Sequence, residues 1–289
     1  MESIVATFIE KVERALTEEQ QELLFSLYRT LHMDELHEDV QLSFIDYFCS
    51  SDELQIMAAY GLALEGIIHE MGKIVPAIEH EESITDSGGE YLTYNRKVND
   101  AQLQLLKQHT TKQGNVLYVP FANVKNNPSP IIVCLEQTIG MEPFATVCKS
   151  MILSLFDEAH RERRTLYIVP YHRHVDVHYR FENGQMHLPA FIDFIEGKAV
   201  GEAAMIPVLQ FVKELLQEHQ YCTEAEILIF TEGVPVDGNR LVEADTKRVI
   251  QSMEINHQAE ISVVVMQEQN LNEQHFWFAN KAFFAEDSI

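Results

Sequence analysis

The chain has 289 residues, of which 46% are hydrophobic and 23% charged, and its formal net charge is −24. The acidic excess argues against nucleic acid and anionic membranes as partners, because binding to either needs a basic surface. No run of about 18 apolar residues is present to cross a bilayer. Four scattered cysteines lack metal-ligand or redox spacing, which favours a cytoplasmic location: Cys49, Cys134, Cys148 and Cys222.

The first 98 residues are predicted to form a helical region. Thr17 with Gln20 and Ser50 with Glu53 make two capping boxes. Apolar residues recur at helical spacing behind and between these caps: Leu23, Leu24, Leu27, Leu31, Val40, Phe44, Tyr47 and Phe48. Residues 71–98 lack periodicity, which is typical of an exposed loop. We therefore expect a domain boundary near residue 98.

Short β-rich apolar runs alternate with helical patterns in the second predicted domain, residues 99–289. The runs are VLYVPFA (116–122), IIVCLE (131–136), TLYIVPY (165–171), ILIFTE (227–232) and ISVVVM (261–266). The helical patterns are 142–161, 202–219 and 241–253. This alternation predicts an α/β fold with a doubly wound, mostly parallel sheet, preceded by the all-α region.

Two segments are predicted to depart from the alternation. VDVHYRFENGQMHL (175–188) alternates in polarity and contains Asn183-Gly184, the strongest short hairpin signal, so we expect an antiparallel edge hairpin. FWFANKAFF (276–284) is an aromatic cluster that, at helical spacing, would pack Phe276, Ala279 and Phe283 against the sheet. The alternative is that Trp277, Phe278 and Phe284 on the other faces form an exposed patch for a partner.

Two of the buried strands end in a carboxylate. IIVCLE ends at Glu136, with Thr138 and Gly140 close behind it, and ILIFTE ends at Glu232. Ligands of open α/β sheets bind at the carboxyl ends of the strands, so these residues are candidates for a site. The plain alternative is that both glutamates are solvated side chains at strand ends.

The order of these pieces resembles the von Willebrand factor A-like family. The resemblance covers about residues 115–289 and is carried by CLEQTIGM, RERRTLYIVPYHRHVDV and LIFTEG. It is closest to the intracellular bacterial branch that accompanies MoxR-type AAA+ ATPases. The family's strand-one loop reads D-x-S-x-S, and with two further loops it forms a metal-ion-dependent adhesion site.

The resemblance implies a divalent-metal site whose usual ligands are replaced here. Glu136 stands at the first aspartate, Thr138 at the first serine, Gly140 at the second serine, and Glu232 at the last aspartate. Mg²⁺ prefers six oxygens in a near-octahedral shell and tolerates poor geometry badly. We therefore expect a degenerate site that binds Mg²⁺ weakly or not at all.

The remaining loop of the family's site falls in EGKAVGEAAM (196–205). Gly201-Glu202 is the preferred alignment and Ala199-Val200 the alternative, which would remove both ligands. A working site would use Glu136, Thr138, Glu202 and Glu232 as ligands. In a vestigial site, Glu136, Glu202 and Glu232 are expected to meet Arg or Lys of a protein partner directly.

HRHVDVH (172–178) is an alternative metal motif. If it were one strand, His172, His174, Asp176 and His178 would share a face and could bind zinc. The preceding run TLYIVPY already accounts for a strand, so a turn at His172–His174 is expected to break this alternation. Histidines on an exposed edge are the plainer interpretation.

These patterns favour a non-enzymatic, cytoplasmic protein-interaction module without a cofactor. By the resemblance, its partner could be a MoxR-type AAA+ ATPase. The alternative is a metal-dependent enzyme that uses the 172–178 cluster or the three glutamates. The sequence contains neither G-x-S-x-G nor a G-x-G-x-x-G or Walker loop, so serine hydrolysis and nucleotide binding have no support.

Overall fold

The computed structural model describes residues 15–60, 129–218, 225–267 and 275–284, together with residues 12 and 270. The predicted strand at 116–122 and the predicted loop at 71–98 lie outside the described residues, as does the predicted boundary near residue 98.

Residues 18–60 contain three α-helices and one short 3-10 helix. Helix α1, Glu18–Thr30, begins at the predicted capping box of Thr17 and Gln20, and buries its leucine stripe. A short 3-10 helix at Met33–Glu35 leads to α2, Glu38–Ser50, and residues 52–60 form α3. Helix α3 is capped by Ser51, whose Oγ accepts the Leu54 N–H. The sequence predicted Ser50 as this cap.

Within the described residues, six strands form one sheet in the order β3-β2-β1-β4-β5-β6. Neighbouring strands are parallel except for the antiparallel pair of β2 with β3 at one edge. The mostly parallel α/β fold predicted from the sequence is therefore confirmed. The strands are β1 Ile131–Glu136, β2 Leu166–Tyr171, β3 Tyr179–Phe181, β4 Glu226–Thr231, β5 Glu260–Val265 and β6 Lys281–Phe284.

Helices cover both faces of the sheet because successive residues of each inner strand point to opposite sides. In β1, Ile131, Val133 and Leu135 enter one core, and Ile132 and Cys134 enter the other. The first core also contains residues of α4, Ala145–Glu162, and α5, Leu188–Ile195. The second contains residues of α6, Met205–Glu218, and α7, Ala244–His257.

The N-terminal helices pack on the α4–α5 side and share its core. Phe44 of α2 and Phe191 of α5 are both fully buried, with ring centroids 6.4 Å apart. Lys149 of α4 is 3% exposed, and its ammonium donates to Glu53 Oε1 at 2.8 Å and to the Ile195 carbonyl at 2.5 Å. The described helices and the sheet are thus joined by both apolar and polar contacts.

Residues Ile139–Glu162 form a helical stretch that is long and apolar enough to cross a membrane, and half of its most apolar 18-residue window is buried within the fold. Its buried side chains include Cys148, Ile152 and Phe156, which belong to the core between the sheet and the N-terminal helices. This is the packing of a central core helix.

The predicted antiparallel edge strand is present, but the predicted position of the hairpin turn, Asn183-Gly184, is wrong. The chain turns between β2 and β3 through residues 172–178, and Asn183-Gly184 follows β3 and leads into α5. A Cβ on Gly184 would lie 2.3 Å from the backbone nitrogen of His160 in α4. The Asn-Gly pair therefore serves a close approach to α4 with both residues at positive φ.

The predicted C-terminal helix is also wrong in part. Lys281–Phe284 is the edge strand β6, parallel to β5. Phe276 and Phe278 lie before the strand and are buried against the core of α6 and α7, while Trp277 is partly exposed. Over so short a segment, aromatic residues at this spacing fit both the helical period of about 3.6 residues and the strand period of 2.

Candidate functional site

Glu136, Tyr171 and Thr231 lie side by side at the carboxyl end of the sheet because of the register of their strands. Glu136 of β1 pairs with Tyr171 of β2, and Leu135 pairs with Phe230 of β4, which places Thr231 beside Glu136. Glu136 therefore lies in the middle of three neighbouring strand ends, close to Glu232 as the sequence predicts.

Glu136 is a buried hydrogen-bond acceptor that joins two loops. It is 2% exposed, and its Oε1 accepts the Thr138 hydroxyl at 2.6 Å. Its Oε2 accepts the Thr231 hydroxyl at 2.6 Å and the Glu232 backbone N–H at 3.2 Å. Burial raises the pKa of Glu136, the nearby charge of Glu232 adds to that increase, and these hydrogen bonds oppose it.

Glu232 and Gly140 are complementary in shape. A Cβ built on Gly140 would lie 1.4 Å from Glu232 Oε2, so the Glu232 carboxylate occupies the space that a side chain at position 140 would take. Glu232 remains partly exposed, and partial burial raises its pKa. The extra methylene of glutamate over aspartate allows this reach.

The side chains at this edge do not fit an octahedral Mg²⁺ shell. Both oxygens of Glu136 are engaged in hydrogen bonds, and Glu136 and Thr138 are each 2% exposed. Gly140 supplies no side-chain oxygen, and the volume beside it is filled by Glu232. A cation would need about six oxygens around an accessible volume, which this arrangement does not provide.

Glu202 interacts with a different loop from the one that contains Thr138 and Gly140. It is exposed and pairs with Arg173, which lies in the loop after β2. In the same loop, the residues of the alternative alignment, Ala199-Val200, lie nearer to the end of β1, because the Val200 N–H donates to the Gln137 carbonyl at 2.8 Å. The structure thus brings together Glu136, Thr138 and Glu232, and places Ala199-Val200 next to β1.

Burial and the hydrogen bonds within the chain argue against a direct contact of Glu136 with a partner, and that contact stays a prediction. Glu202 and Glu232 keep enough exposure for such a contact.

The 172–178 segment forms a loop, so its side chains do not share one strand face. His172 Nε2 lies 2.8 Å from Asp176 Oδ2, whereas the His178 ring packs 5.2 Å from the Phe211 ring of α6. Within the described residues, these four side chains do not form a convergent metal-ligand group. The zinc alternative at this segment therefore loses its geometric basis.

Two buried polar atoms lie beside Glu136 in residues that the sequence did not indicate as part of the site. Tyr171 Oη and Gln137 Nε2 make no hydrogen bond within the described part of the chain. Burial raises the pKa of Tyr171 well above its usual value, and the nearby Glu136 adds to the increase. The position of Tyr171 at the end of TLYIVPY could have indicated it as a strand-tip residue, but only the register places it beside Glu136.

Exposed apolar side chains surround the strand tips. Ile139 follows β1 and is 66% exposed, and Val200, next to the end of β1, is 48% exposed. Val234 and Val236 follow β4 and are 50% and 55% exposed. The Val236 N–H donates to the Ala203 carbonyl, which holds two of these loops together. We call Ile139, Val200, Val234 and Val236 the strand-tip rim.

No protein-family model and no curated protein matches this chain. In fold it is similar to the VWA domain of SpRpn10, with a TM-score of 0.41 and 12% identity over 55% of this chain and 90% of that one. It is also similar to the pilus adhesin SpaC from Lactobacillus rhamnosus GG in its open conformation, with a TM-score of 0.43 and 9% identity over 60% of this chain and 29% of that one.

A third structure similar in fold is an aerotolerance-related membrane protein from Bacteroides fragilis, with a TM-score of 0.37 and 10% identity over 55% of this chain and 92% of that one. The first of the three is a von Willebrand A domain, the fold that the sequence resembles. Likenesses of this size concern the fold and carry no argument about a site or an activity.

Proposed function

We propose that the chain is a cytoplasmic, non-enzymatic protein-interaction module whose partner binds the carboxyl edge of the sheet. The observation that supports this is the strand-tip rim, four exposed aliphatic side chains gathered from separate loops at one edge. Clustered exposed apolar groups are typical of interaction surfaces. The buried polar groups behind the rim bond to one another and hold its loops in place.

The partner in this proposal is a protein with an apolar protrusion flanked by Arg or Lys. Glu232, which is partly exposed, and Glu202, which is exposed, lie in the same loops as the rim, and the net charge of −24 favours encounter with a basic surface. A MoxR-type AAA+ ATPase is the partner that the sequence resemblance suggests, and it is the first purified candidate to test.

The proposal requires no Mg²⁺ bridge between module and partner. We expect calorimetric titration with Mg²⁺ or Mn²⁺ to detect no binding tighter than about 100 μM at the strand tips. The reason is that Glu136 is engaged within the chain, Gly140 offers no side-chain oxygen and Glu202 pairs with Arg173. Tighter binding that is lost in Glu232→Gln would show that the glutamates retain a working metal site.

The decisive experiment compares two exposed positions of similar character at opposite edges. Val236→Asp alters the rim, and Ile255→Asp alters a residue 78% exposed near the end of α7, at the other edge of the sheet. A partner captured by the wild-type chain should bind Ile255→Asp equally and Val236→Asp at least about ten-fold more weakly. Equal binding by the two variants would contradict the proposed surface.

A second experiment with the same purified partner measures how binding depends on charge and on metal. Glu232→Lys should weaken binding, and added salt should weaken the wild-type complex more than the variant complex. EDTA should leave binding unchanged. Binding that is lost in EDTA and restored by Mg²⁺ would show a cation bridge and contradict this part of the proposal.

A further inference from the structure

A second cluster of chemistry-bearing side chains lies between the N-terminal region and α4. His32 and Glu35 come from the turn after α1, and His160 comes from the last turn of α4. One candidate ligand atom from each side chain lies within 4.8 Å of the other two. They border a cavity of about 200 Å³ that is also lined by His37, Gln185 and Met186.

The local backbone brings His32 and Glu35 to the same side of the turn. His32 has φ of 50° and caps the 3-10 helix Met33–Glu35, in which side chains three residues apart are superimposed. Met33 is fully buried and anchors this turn in the core. A non-glycine residue with positive φ is uncommon, and at this position it directs an imidazole toward α4.

The distances are close to those of a metal-ligand set. His160 Nε2 lies 3.2 Å from Glu35 Oε1, and His32 Nδ1 lies 4.0 Å from the same oxygen. Ligand atoms around tetrahedral Zn²⁺ are about 3.4 Å apart, as follows from bonds of about 2.0–2.1 Å. Binding of all three atoms to one ion requires the stacked rings of His32 and His160 to tilt apart, because an ion lies in the plane of each imidazole that binds it.

The other nitrogen of His32 has the partner that metal-bound histidines usually have. His32 Nε2 lies 3.1 Å from Asp157 Oδ1, and Arg161 donates to Asp157 Oδ2 at 2.8 Å. A carboxylate at this position fixes the tautomer, so that Nδ1 keeps its lone pair for an ion. Asp157 would act in this way as a positioning residue.

The imidazole rings of His32 and His160 are stacked, with centroids 3.8 Å apart and an interplanar angle of 19°. The stacking shows that α4 brings the two imidazoles into direct contact across the boundary with the N-terminal region. His160 differs from His32 in the partner of its other nitrogen, because its Nδ1 is buried and has no hydrogen-bond partner within the described residues.

We propose that His32, Glu35 and His160 form a Zn²⁺ site that links the N-terminal helices to α4. Two histidines and one glutamate are a common zinc ligand set, which leaves a fourth position for water from the adjoining cavity. The site lies at the far end of α4 from the strand tips, about 23 Å along the helix. It is therefore independent of the proposed partner surface.

The test uses the full chain after treatment with EDTA and dialysis, with Zn²⁺ alone as the probe. Calorimetry should give one Zn²⁺ per chain, and Co²⁺ should give the visible absorption bands of tetrahedral coordination. His32→Asn, which suits the positive φ, and His160→Gln should each weaken Zn²⁺ binding at least ten-fold. Asp157→Asn should weaken it roughly 10-fold to 100-fold.

His172→Ala and His174→Ala are the matched controls, because they remove imidazoles from the loop after β2. Their Zn²⁺ affinity should equal that of the wild-type chain. Far-UV circular dichroism without metal checks that each variant folds, and Glu35→Gln, at an exposed position, replaces any histidine variant that does not.

Bound Zn²⁺ should also raise the melting temperature of the wild-type chain, because it binds the folded state alone. Absence of saturable binding would overturn the proposal. So would binding that persists in both His32→Asn and His160→Gln, or binding that is lost only in the two loop variants.

Discussion

Glu136 shows how one side chain can look like a ligand in sequence and act as an internal connector in the fold. Its carboxylate joins Thr138 after β1 to Thr231 and Glu232 at the end of β4. Each of these hydrogen bonds satisfies a donor at the edge of the sheet. A charged acceptor strengthens them, which offsets part of the cost of its burial.

The pairing of Gly140 with Glu232 leads to a prediction about coupling. Gly140→Ser should displace the Glu232 side chain and lower the free energy of unfolding by about 1–2 kcal/mol. Glu232→Asp shortens that side chain, so the double variant should be more stable than the sum of the single effects predicts. Urea unfolding of all four chains measures this coupling.

Gly201→Asn is a suitable control for that cycle. A Cβ at Gly201 meets nothing within 4 Å, and asparagine tolerates its φ of 63°. It should combine additively with Glu232→Asp. Additive effects for Gly140→Ser as well, within about 0.5 kcal/mol, would contradict the steric relation of Gly140 and Glu232.

At the scale of elements, Lys149 is a buried polar link between α4, the N-terminal region and the end of α5. It donates to Glu53 and to the carbonyls of Ile195 and Gly197. Glu53 is 43% exposed, whereas the ammonium is almost fully buried. The two members of this ion pair should therefore have unequal effects when they are replaced.

We predict that Lys149→Met lowers the free energy of unfolding by about 2–4 kcal/mol, because two carbonyls lose a buried donor. Glu53→Gln should cost less than about 1 kcal/mol, because its partner keeps the carbonyls and the glutamate is partly solvated. Urea unfolding compares the two, and limited proteolysis reports release of the N-terminal helices. Equal costs would contradict the assignment of the link to the carbonyls.

The strands of the inner sheet could be predicted because each is a short apolar run buried on both faces. The Asn183-Gly184 turn could not, because its role depends on the approach of Gly184 to α4. The Glu136–Thr231 bond joins residues separated by 95 positions. Pairings at that distance follow from sheet register, which a single sequence does not specify.

At the scale of the whole molecule, buried carboxyls add to the effect of an acidic composition. Burial raises the pKa of Glu158 to about 7, and burial also raises the pKa of Glu136, Glu226 and Glu232. A carboxyl with a higher pKa in the folded state binds more protons when folded. Stability is then greatest below the unfolded pKa and falls as pH rises through the folded pKa.

We predict that the free energy of unfolding decreases from about pH 4.5 to about pH 7. For Glu158 the window runs from 4.5 to about 7, and mutual repulsion within a chain of charge −24 acts in the same direction. Glu158→Gln should reduce the slope, and Glu254→Gln at an exposed position should not. Stability that increases over this range, in urea titrations at several pH values, would contradict the prediction.

The hydrogen bonds of Glu136 have a consequence for the thermodynamics of association. They fix the loops after β1 and β4 before any partner arrives. Loops that are already ordered lose little conformational entropy on binding. A partner would therefore dock on a nearly rigid edge, and its affinity would depend on the fit of the four aliphatic side chains and on the water they release.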